Sequence, residues 1–446
     1  MRPAFVFAPD LCTGCEACRV ACGNENGAGR DTGWRQVITF NPERHPALPT
    51  LHLSLACNHC EVPACANGCP ARAYRRDATT GAVLIDAAKC IGCRYCSWVC
   101  PYDAPQFDER GGVMTKCTFC APRLESGLAP ACIAACPTGA LALGERPSPS
   151  PEPAFHGLGA WGLGPALTLV ASRRSTPPEG LACDDATEEP PAFPPRRRKI
   201  TLGAEKGLVV FTLLMPGLAA WFAGGVRFPE RAPALAPLLG AAALAFALSI
   251  AHLGRPLRAW RAILGLSTSW LSREVAATGA FVALGALALA MPAAPWALGL
   301  PALLAAVLLV IAIDGVYLAV PRAAGPRFHG AESTTAFLLL AGIAADLLPV
   351  AATAAAIKVS LMAARWRAGA PGMRPWQGAL RASLLVYAPV ALAGPWPWTL
   401  AFARAFASET LDRTAFYGAL EPSSPTSRLE AETRAALAHV SASGRA

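Results

Sequence analysis

Cysteine is the residue type with the clearest chemistry in this chain. Sixteen of its seventeen cysteines lie before residue 137, in four groups of four, and three of these groups end in Cys-Pro. Thiolates at such close spacing are typical ligands for soft metal centres. The groups are Cys12, Cys15, Cys18, Cys22; Cys57, Cys60, Cys65, Cys69; Cys90, Cys93, Cys96, Cys100; and Cys117, Cys120, Cys132, Cys136.

The spacing favours iron–sulfur clusters. A C-x2-C-x2-C-x3-C-P run supplies three thiolates to one [4Fe–4S] cluster and lends the fourth to a neighbouring cluster. Sixteen ligands therefore predict four [4Fe–4S] clusters and an electron-transfer role. Structural zinc is the alternative, although zinc sites usually use separated C-x2-C pairs. A disulfide framework is typical of short secreted chains, and no secretory signal is visible here.

The positive charge lies outside the cysteine-rich region. Residues 1–145 hold thirteen basic and thirteen acidic residues, so the formal net charge of +9 comes from residues 146–446. Basic residues beside apolar segments are typical of the cytoplasmic side of inner-membrane proteins, so we expect no nucleic-acid partner. For the first of the three basic groups, a solvated run remains an alternative. The groups are Arg196–Lys199; Arg255, Arg258, Arg261 and Arg273; and Arg365, Arg367 and Arg374.

Residues 146–199 are predicted to be an extended connector. They contain eleven prolines and no sustained periodicity, which favours a poorly packed linker over a third folded domain. Cys183, the one cysteine outside the four groups, lies in this connector. A free thiol without a role is the simplest interpretation of it.

The chain from residue 200 onward predicts an all-α membrane region. Its apolar runs are near the length that crosses a bilayer as a helix, and they lack the polar faces of a soluble bundle. We expect six to eight transmembrane helices within residues 200–417 and a polar tail over 418–446. The stretch 333–366 predicts two short helices or one kinked helix. The runs are 207–226, 233–253, 275–292, 297–320, 333–366 and 379–403.

The charge bias also predicts sidedness. If the basic stretch before the first span is cytoplasmic, the loops at 254–273 and at Arg322 and Arg327 are cytoplasmic as well, and the turn at 291–296, without basic residues, is external. We therefore expect a multi-pass protein of the bacterial inner membrane with its cysteine-rich domain on the cytoplasmic side.

Two cysteine segments resemble a known family. The segments CIGCRYCSWVCPYDAPQFD (90–108) and MTKCTFC (114–120) resemble the four-cluster electron-transfer subunit of the dimethyl sulfoxide reductase family of molybdopterin oxidoreductases, and CNHCEVPACANGCP (57–70) is similar to that family's second cysteine group. The resemblance implies an α+β domain over residues 1–145, formed by duplicated ferredoxin-like units with the clusters in a row.

The resemblance also implies which cysteines share a cluster. Three cysteines of one group join the last cysteine of another group. All four cysteines of the third group are present, so each implied set has four thiolates. We number the implied ligand sets as set 1 (Cys12, Cys15, Cys18, Cys136), set 2 (Cys22, Cys117, Cys120, Cys132), set 3 (Cys57, Cys60, Cys65, Cys100) and set 4 (Cys69, Cys90, Cys93, Cys96).

The second half resembles the membrane anchor subunit of the same family. The segments AHLGRPLRAWRAI (251–263) and SWLSRE (269–274) carry the resemblance, and ETLDRTAFY (409–417) is similar to the end of that subunit. Two subunits that are usually separate are thus fused. The resemblance implies that electrons pass from menaquinol of the quinone pool, through four clusters, to a separate molybdopterin-containing catalytic subunit.

His252 and Glu274 match positions that the anchor family places near its menaquinol site. Quinol loses two protons with its two electrons, and an imidazole and a carboxylate are suited to accept them. Two alternatives remain open. His252 could bond backbone at a helix end, and Glu274 could pair with Arg273 or act as a helix N-terminal charge.

Three further residues are weaker candidates. Asp314 is an intramembrane carboxylate, a type that often serves proton paths, or it reaches interfacial water near a span end. Trp260 and Trp270 could stack on a quinone ring, although interfacial aromatic belts are commoner. We expect no haem, because axial histidines are needed and His329 is predicted in a loop.

The sequence offers no molybdopterin domain, nucleophile elbow or P-loop. Substrate reduction is therefore expected in a partner, and this polypeptide is a non-catalytic subunit apart from quinol oxidation. A polysulfide- or nitrite-reductase-type module and a non-enzymatic metal-binding scaffold are the alternative functions.

Overall fold

The computed structural model divides the chain into two units. The first, here called the cysteine unit, comprises residues 1–197 and 422–446, and the second, the apolar unit, comprises residues 198–421. The described residues are 2–27, 33–42, 44, 46, 48–147, 155–170, 199–291, 295–322, 332–367, 375–392, 394 and 397–443. Cys183 and His329 lie outside them.

Short strands frame the cysteine unit. β1 is the centre of a three-stranded sheet, with β8 antiparallel on one side and β9 parallel on the other. Three two-stranded ladders, β2–β3, β4–β5 and β6–β7, complete the strands. The bounds are β1 Pro3–Phe7, β2 Gln36–Phe40, β3 Leu51–Leu55, β4 Tyr74–Arg76, β5 Val83–Ile85, β6 Gln106–Asp108, β7 Val113–Thr115, β8 Leu141–Glu145 and β9 Leu167–Leu169.

Five helices of the cysteine unit carry or flank the ligands. Four of them contain the third cysteine of a group: Cys18 in α1, Cys65 in α2, Cys96 in α3 and Cys132 in α5. The bounds are α1 Ala17–Asn26, α2 Ala64–Asn67, α3 Tyr95–Trp98, α4 Ala121–Glu125 and α5 Ala131–Ala134. The predicted α+β domain followed by an all-α region is confirmed.

Part of the predicted connector is folded. Residues 155–170 are described, and β9 lies among them and pairs with β1. Leu158 and Leu167 are buried in the same core as Phe5 and Phe7. The proline content predicts an extended linker, but the alternating Leu-Thr-Leu of β9 forms an edge strand that pairs with β1. The connector expected over 146–199 is therefore wrong for this stretch.

The predicted polar tail is a helix that belongs to the cysteine unit. α14 spans Pro425–Ser443, and its Leu429 and Leu437 are buried with Phe40 and Leu51. Glu432 Oε2 accepts a hydrogen bond from the backbone N–H of Gly157 at 3.0 Å and lies 3.1 Å from His156 Nδ1. The polypeptide thus returns to the cysteine unit after the apolar unit.

Helices make up most of the described part of the apolar unit. Within the described residues, α6, α8 and residues Ala297–Leu318 of α9 are long and apolar enough to cross a membrane, and α7 with the 3-10 helix Pro256–Ile263, bent by 108°, is a fourth candidate. Six to eight spans remain a prediction. The bounds are α6 Lys206–Arg227, α7 Leu235–Ala251, α8 Trp270–Ala290, α9 Pro295–Leu318, α10 Glu332–Ala344, α11 Leu348–Arg367, α12 Pro375–Leu392 and α13 Trp398–Ala419.

One face of α9 is apolar and exposed. Leu300, Leu304 and Leu308 are 51–61 % exposed at helical spacing, whereas Ala306 and Leu309 on the other face are fully buried. A soluble helix would place polar residues on the exposed face. The exposed leucines are suited to contact lipid.

The stretch 333–366 forms two helices, α10 and α11. Asp346 between them adopts a left-handed conformation with φ of +54°. Arg231 stabilises the break between the two helices, because its guanidinium donates to Ala344 O at 3.0 Å and to Asp346 Oδ2 at 2.6 Å.

Candidate iron–sulfur sites and anchor site

The first C-x-x-C segment of each cysteine group forms the same turn. The residue before the second cysteine has a positive φ in each case: Gly14 +71°, His59 +42°, Gly92 +71° and Phe119 +62°. This conformation turns the backbone N–H toward the preceding thiol, and the N–H···Sγ distances at Cys57, Cys90 and Cys117 are 3.3–3.4 Å. Glycine adopts it at no steric cost, whereas histidine and phenylalanine are strained there.

The fold brings the cysteines of each implied set together. In set 1, Cys12 is an electrostatic neighbour of Cys15, Cys18 and Cys136. In set 2, Asn26 Nδ2 lies 3.8 Å from the sulfurs of both Cys22 and Cys120.

Sets 3 and 4 are gathered in the same way. Cys60 neighbours the other three cysteines of set 3, and Cys93 neighbours Cys69 and Cys90 of set 4. The four cysteines of set 3 line one common cavity. None of the sixteen described cysteines forms a disulfide.

The sets follow one another in a row. Cys22 of set 2 neighbours Cys18 of set 1, Cys117 of set 2 neighbours Cys57 of set 3, and Cys96 of set 4 neighbours Cys65 of set 3. The order is therefore 1, 2, 3, 4, which is the arrangement that stepwise electron transfer needs.

The thiol chemistry fits a cationic, multi-atom group. Burial and the neighbouring Cys132 raise the pKa of Cys22 to about 11, and burial raises the pKa of Cys65 even further. Such thiols ionise when a metal binds them. Tetrahedral zinc at a Zn–S distance of about 2.3 Å needs thiolates about 3.8 Å apart. Among the described residues, no three Cys, His, Asp or Glu side chains are placed to hold a single ion.

Two fully buried cations lie among the cysteines. Arg35 is 1 % and Lys116 is 3 % exposed. Burial lowers the pKa of Arg35, but the sulfurs of Cys132 and Cys117, once ionised, outweigh this effect and raise the pKa overall. Sequence reasoning missed both residues, because nothing in the one-dimensional pattern distinguishes them from surface charges.

His252 lies where the first anchor motif bends. It is the C-terminal cap of α7, half-buried, just before the 108° bend into the 3-10 helix that Pro256 begins. Glu274 lies in the second turn of α8 and is 5 % exposed.

Glu274 faces other helices rather than its sequence neighbour. Arg273 donates to Leu266 O and Ser267 O at 3.0 and 2.9 Å, respectively, and covers the Trp270 ring. Glu274 instead is an electrostatic neighbour of Arg413 on α13. The alternative of a Glu274–Arg273 salt bridge is therefore wrong.

A buried polar group surrounds Arg413. Its guanidinium donates to Ser333 Oγ at 2.6 Å, and its electrostatic neighbours include Glu332, Tyr317 and Tyr417. The hydroxyls of Tyr317 and Tyr417 are hydrogen-bonded to each other. Glu274 thus lies near groups that can hold or pass a proton.

Asp314 has a structural role. Its two carboxylate oxygens accept the backbone N–H groups of Ser333 and Thr334, both at 2.8 Å, so it caps the N-terminus of α10 from another helix. It is 4 % exposed, so the alternative that it reaches interfacial water is wrong.

The two candidate tryptophans differ. Trp270 packs against α9 at Gly315, where a Cβ would overlap the indole. Trp260 is 61 % exposed and is covered by Arg261 at 4.8 Å. Of the two, Trp260 is the more exposed.

A second buried polar group, the charge network, consists of Lys358, Arg381, Glu409 and Asp412. Lys358 Nζ lies 2.8 Å from Glu409 Oε2 and 3.3 Å from Asp412 Oδ2, and Arg381 lies 2.6 Å from Asp412. All four side chains are at most 6 % exposed. Four charges of zero net sum are thus enclosed within the bundle.

Both halves of the chain match known protein families. Residues 49–146 match the family model described as a 4Fe-4S dicluster domain, and residues 234–320 match the DMSO reductase anchor subunit (DmsC) model. The second match contains both His252 and Glu274.

Individual relatives match the cysteine-rich part. The polypeptide is 39 % identical over 146 residues to a chain of the anaerobic dimethyl sulfoxide reductase of Haemophilus influenzae, covering 31 % of this protein and 71 % of the relative. It is 33 % identical over 201 residues to a sulfite dehydrogenase subunit of Allochromatium vinosum, covering 39 % and 84 %. It is 37 % identical over 153 residues to a tetrathionate reductase subunit of Salmonella typhimurium, covering 33 % and 60 %.

Fold, cysteine sets and matches together define an iron–sulfur electron-transfer protein joined to an integral membrane anchor in one polypeptide. Within that class, the protein belongs to the family of the iron–sulfur chains of dimethyl sulfoxide reductase, with a region of the DMSO reductase anchor family fused to it.

Proposed function

We propose that this protein takes electrons from menaquinol in the membrane and passes them, through four [4Fe–4S] clusters, to a separate molybdopterin-containing catalytic subunit. The observation that carries the proposal is the fusion itself, because a four-set cysteine unit and a DMSO reductase-type anchor occupy one polypeptide. When bound, the clusters would supply one-electron steps between quinol and partner.

The anchor residues would take up the protons. Oxidation of one quinol gives one quinone, two electrons and two protons. His252 at the α7 bend and Glu274 on α8 would each accept a proton from a quinol hydroxyl. The position of Glu274 next to Arg413 supports the role, because a nearby cation keeps a buried carboxylate able to act as a base.

The sixteen cysteines would hold the clusters, four for each, as the sets gather them. The partner follows from the relatives, since the Haemophilus influenzae relative is named as one chain of a reductase. A complex that contains neither molybdenum nor a large second polypeptide would exclude this partner.

The terminal substrate does not follow from the cysteine unit, because relatives of this unit carry the names of sulfite dehydrogenase and tetrathionate reductase as well. The DmsC match supports the dimethyl sulfoxide reductase type over a polysulfide- or nitrite-reductase type of module.

Topology supports an even number of membrane crossings. Residues on both sides of the apolar unit, 1–197 and 422–446, belong to one folded unit, and a folded unit lies on one side of a membrane. Six or eight spans satisfy this condition and seven do not. The basic loops favour the cytoplasmic side of an inner membrane. The test is a membrane-impermeant thiol reagent applied to intact spheroplasts. If it labels Cys183, the assignment is wrong and the cysteine unit lies on the outer side.

The test is quinol-driven cluster reduction in membranes that carry the full-length protein and its partner. In Glu274→Gln we expect slower reduction by a menaquinol analogue but unchanged reduction by dithionite. Glu230→Gln is the matched control, since Glu230 is an exposed glutamate of the same unit. Wild-type quinol rates in Glu274→Gln would contradict the role of Glu274, and the absence of any quinol-driven reduction in the unchanged protein would contradict the whole proposal.

A further inference from the structure

The two buried cations of the cysteine unit lie at the junctions of the cysteine row. Neither Arg35 nor Lys116 forms a salt bridge with a carboxylate among the described residues. An uncompensated buried charge costs several kcal/mol in a folded protein, so each requires an anionic partner that the side-chain carboxylates do not supply.

Arg35 lies at the junction of sets 1 and 2. Its Nη1 donates to Ser54 Oγ at 3.0 Å, and that hydroxyl lies 3.3 Å from the sulfur of Cys18 in set 1. On its other side, its strongest electrostatic neighbour is Cys132 of set 2. Within the described residues, its Nε and Nη2 have no hydrogen-bond acceptor, so these donors are available to cluster sulfur.

Lys116 lies at the junction of sets 2 and 3. It lines the cavity enclosed by set 3, and its electrostatic neighbours include Cys57 and Cys65 of that set. It directly precedes Cys117 of set 2 and donates to the carbonyl of that residue at 3.0 Å.

The third junction differs. Tyr74 lies between sets 3 and 4, with Cys96 and Cys65 as its electrostatic neighbours. A phenol carries no positive charge, so the row has a buried cation at its first two junctions and a neutral hydroxyl at the third.

We propose that Arg35 and Lys116 are counter-charges that raise the reduction potentials of the two clusters flanking each of them and weaken the repulsion between neighbouring reduced clusters. The inference rests on the cluster assignment of the proposed function but not on its quinol or its partner. Reduction adds one negative charge to a cluster, and a cation in a low-dielectric interior stabilises that charge. Net charge and hydrogen bonds to sulfur are the protein's means of setting cluster potentials.

The test is EPR-monitored redox titration of the four clusters in membranes carrying the complete complex, with chemical mediators so that quinol is not needed. Arg35→Gln is expected to lower two midpoint potentials, those of sets 1 and 2. Lys116→Gln is expected to lower those of sets 2 and 3. At a fixed applied potential, each variant should change the ratio of oxidised to reduced cluster about tenfold or more. For a one-electron couple, a tenfold change corresponds to a shift in midpoint potential of about 59 mV. The signal of set 4 should not move in either variant.

Charge-retaining and exposed variants serve as controls. Arg35→Lys and Lys116→Arg should leave the potentials near those of the wild type. Arg19→Gln removes a charge next to Cys18 in sequence, but Arg19 is 46 % exposed and paired with Glu16, so solvent screening predicts little shift. Iron and sulfide analysis reports whether all clusters assemble, and if one Gln variant loses them, the other carries the test.

Several outcomes would overturn the proposal. These are unchanged potentials in both Gln variants, equal shifts of all four signals, or a shift in Arg19→Gln as large as in Arg35→Gln. Cluster loss in the charge-retaining variants as well as the Gln variants would also overturn it, because the two residues would then be needed for packing rather than charge. If the quinol proposal fails, these mediator-based titrations are unaffected, so the two failures are distinguishable.

Discussion

Replacement of Lys358 by methionine tests the charge network in the apolar unit. The substitution keeps the length of the side chain and removes its charge. It deletes the contact of 2.8 Å to Glu409 and that of 3.3 Å to Asp412. Asp412 retains Arg381 at 2.6 Å, whereas Glu409, 6 % exposed, loses the cation that compensates it.

The magnitude follows from burial. At an effective dielectric constant near 20, a pair at 2.8 Å attracts by about 6 kcal/mol. The removal of Lys358 also removes the cost of burying its ammonium, so the net effect is smaller. Breaking a buried pair from one side typically costs about 3–5 kcal/mol, and we expect that loss in the free energy of unfolding for Lys358→Met.

A double-mutant cycle separates the pair from packing effects. In Lys358→Met with Glu409→Gln, no isolated buried charge remains, so most of the stability should return. Lys206→Met, at an exposed lysine of α6, should change stability by no more than about 0.5 kcal/mol. The measurement is denaturant unfolding of the full-length protein in nanodiscs, followed by the helical circular dichroism that the apolar unit dominates. A loss below about 1 kcal/mol for Lys358→Met, or no recovery in the double variant, would refute the reasoning.

Three other substitutions test individual contacts. Gly14→Ala places a methyl 2.7 Å from His52 Cε1 and should deplete the iron of set 1, whereas Gly27→Ala, with a similar positive φ and open space, should cost only the roughly 1–2 kcal/mol of backbone strain; equal iron in the two variants would contradict this. Asp314→Asn weakens the cap of α10 and should cost about 0.5–2 kcal/mol in thermal unfolding; an unchanged melting temperature would contradict the capping role. Glu432→Ala removes the acceptor that holds residues 156–157 to α14 and should speed hydrogen exchange over 425–443, and unchanged exchange there would count against this contact.

The parts of the site that depend on local spacing could be predicted from the sequence. The first C-x-x-C segment of each group forms its turn from four consecutive residues, so the cysteine groups are visible in the sequence alone. The resemblance added the pairing between groups, which the sequence spacing leaves open. The motif ETLDRTAFY is similar to the anchor family, yet nothing in it indicates that Glu409 and Arg413 lie in two different buried polar groups.

Other features depend on contacts between distant parts of the polypeptide. The prolines around residues 155–170 predict a connector, and the charges of the final helix predict a tail. Each is stabilised by contacts that only the folded cysteine unit provides, with β1 in one case and with Phe40 and Leu51 in the other. Asp314 is recognisable in the sequence as a costly buried carboxylate, but the N–H groups that it caps, at the start of α10, lie 19 and 20 residues further along the sequence.

The two units compensate buried cations in different ways, and the difference predicts what iron removal does. Lys358 and Arg381 have carboxylates within 2.6–3.3 Å, so the charge network is complete without any cofactor. Arg35 and Lys116 have thiols rather than carboxylates as their electrostatic partners, and burial raises the pKa of four of these thiols, those of Cys22, Cys65, Cys117 and Cys132. Without clusters, both cations are therefore uncompensated, and the cysteine unit should lose protection from hydrogen exchange while the apolar unit keeps its own. Exchange measured by mass spectrometry on the full-length protein, before and after anaerobic chelation of iron, checks this. Equal loss of protection in both units would contradict it, and so would full protection of β1 and α1 in the iron-free protein, because the buried charges would then need no cluster to balance them.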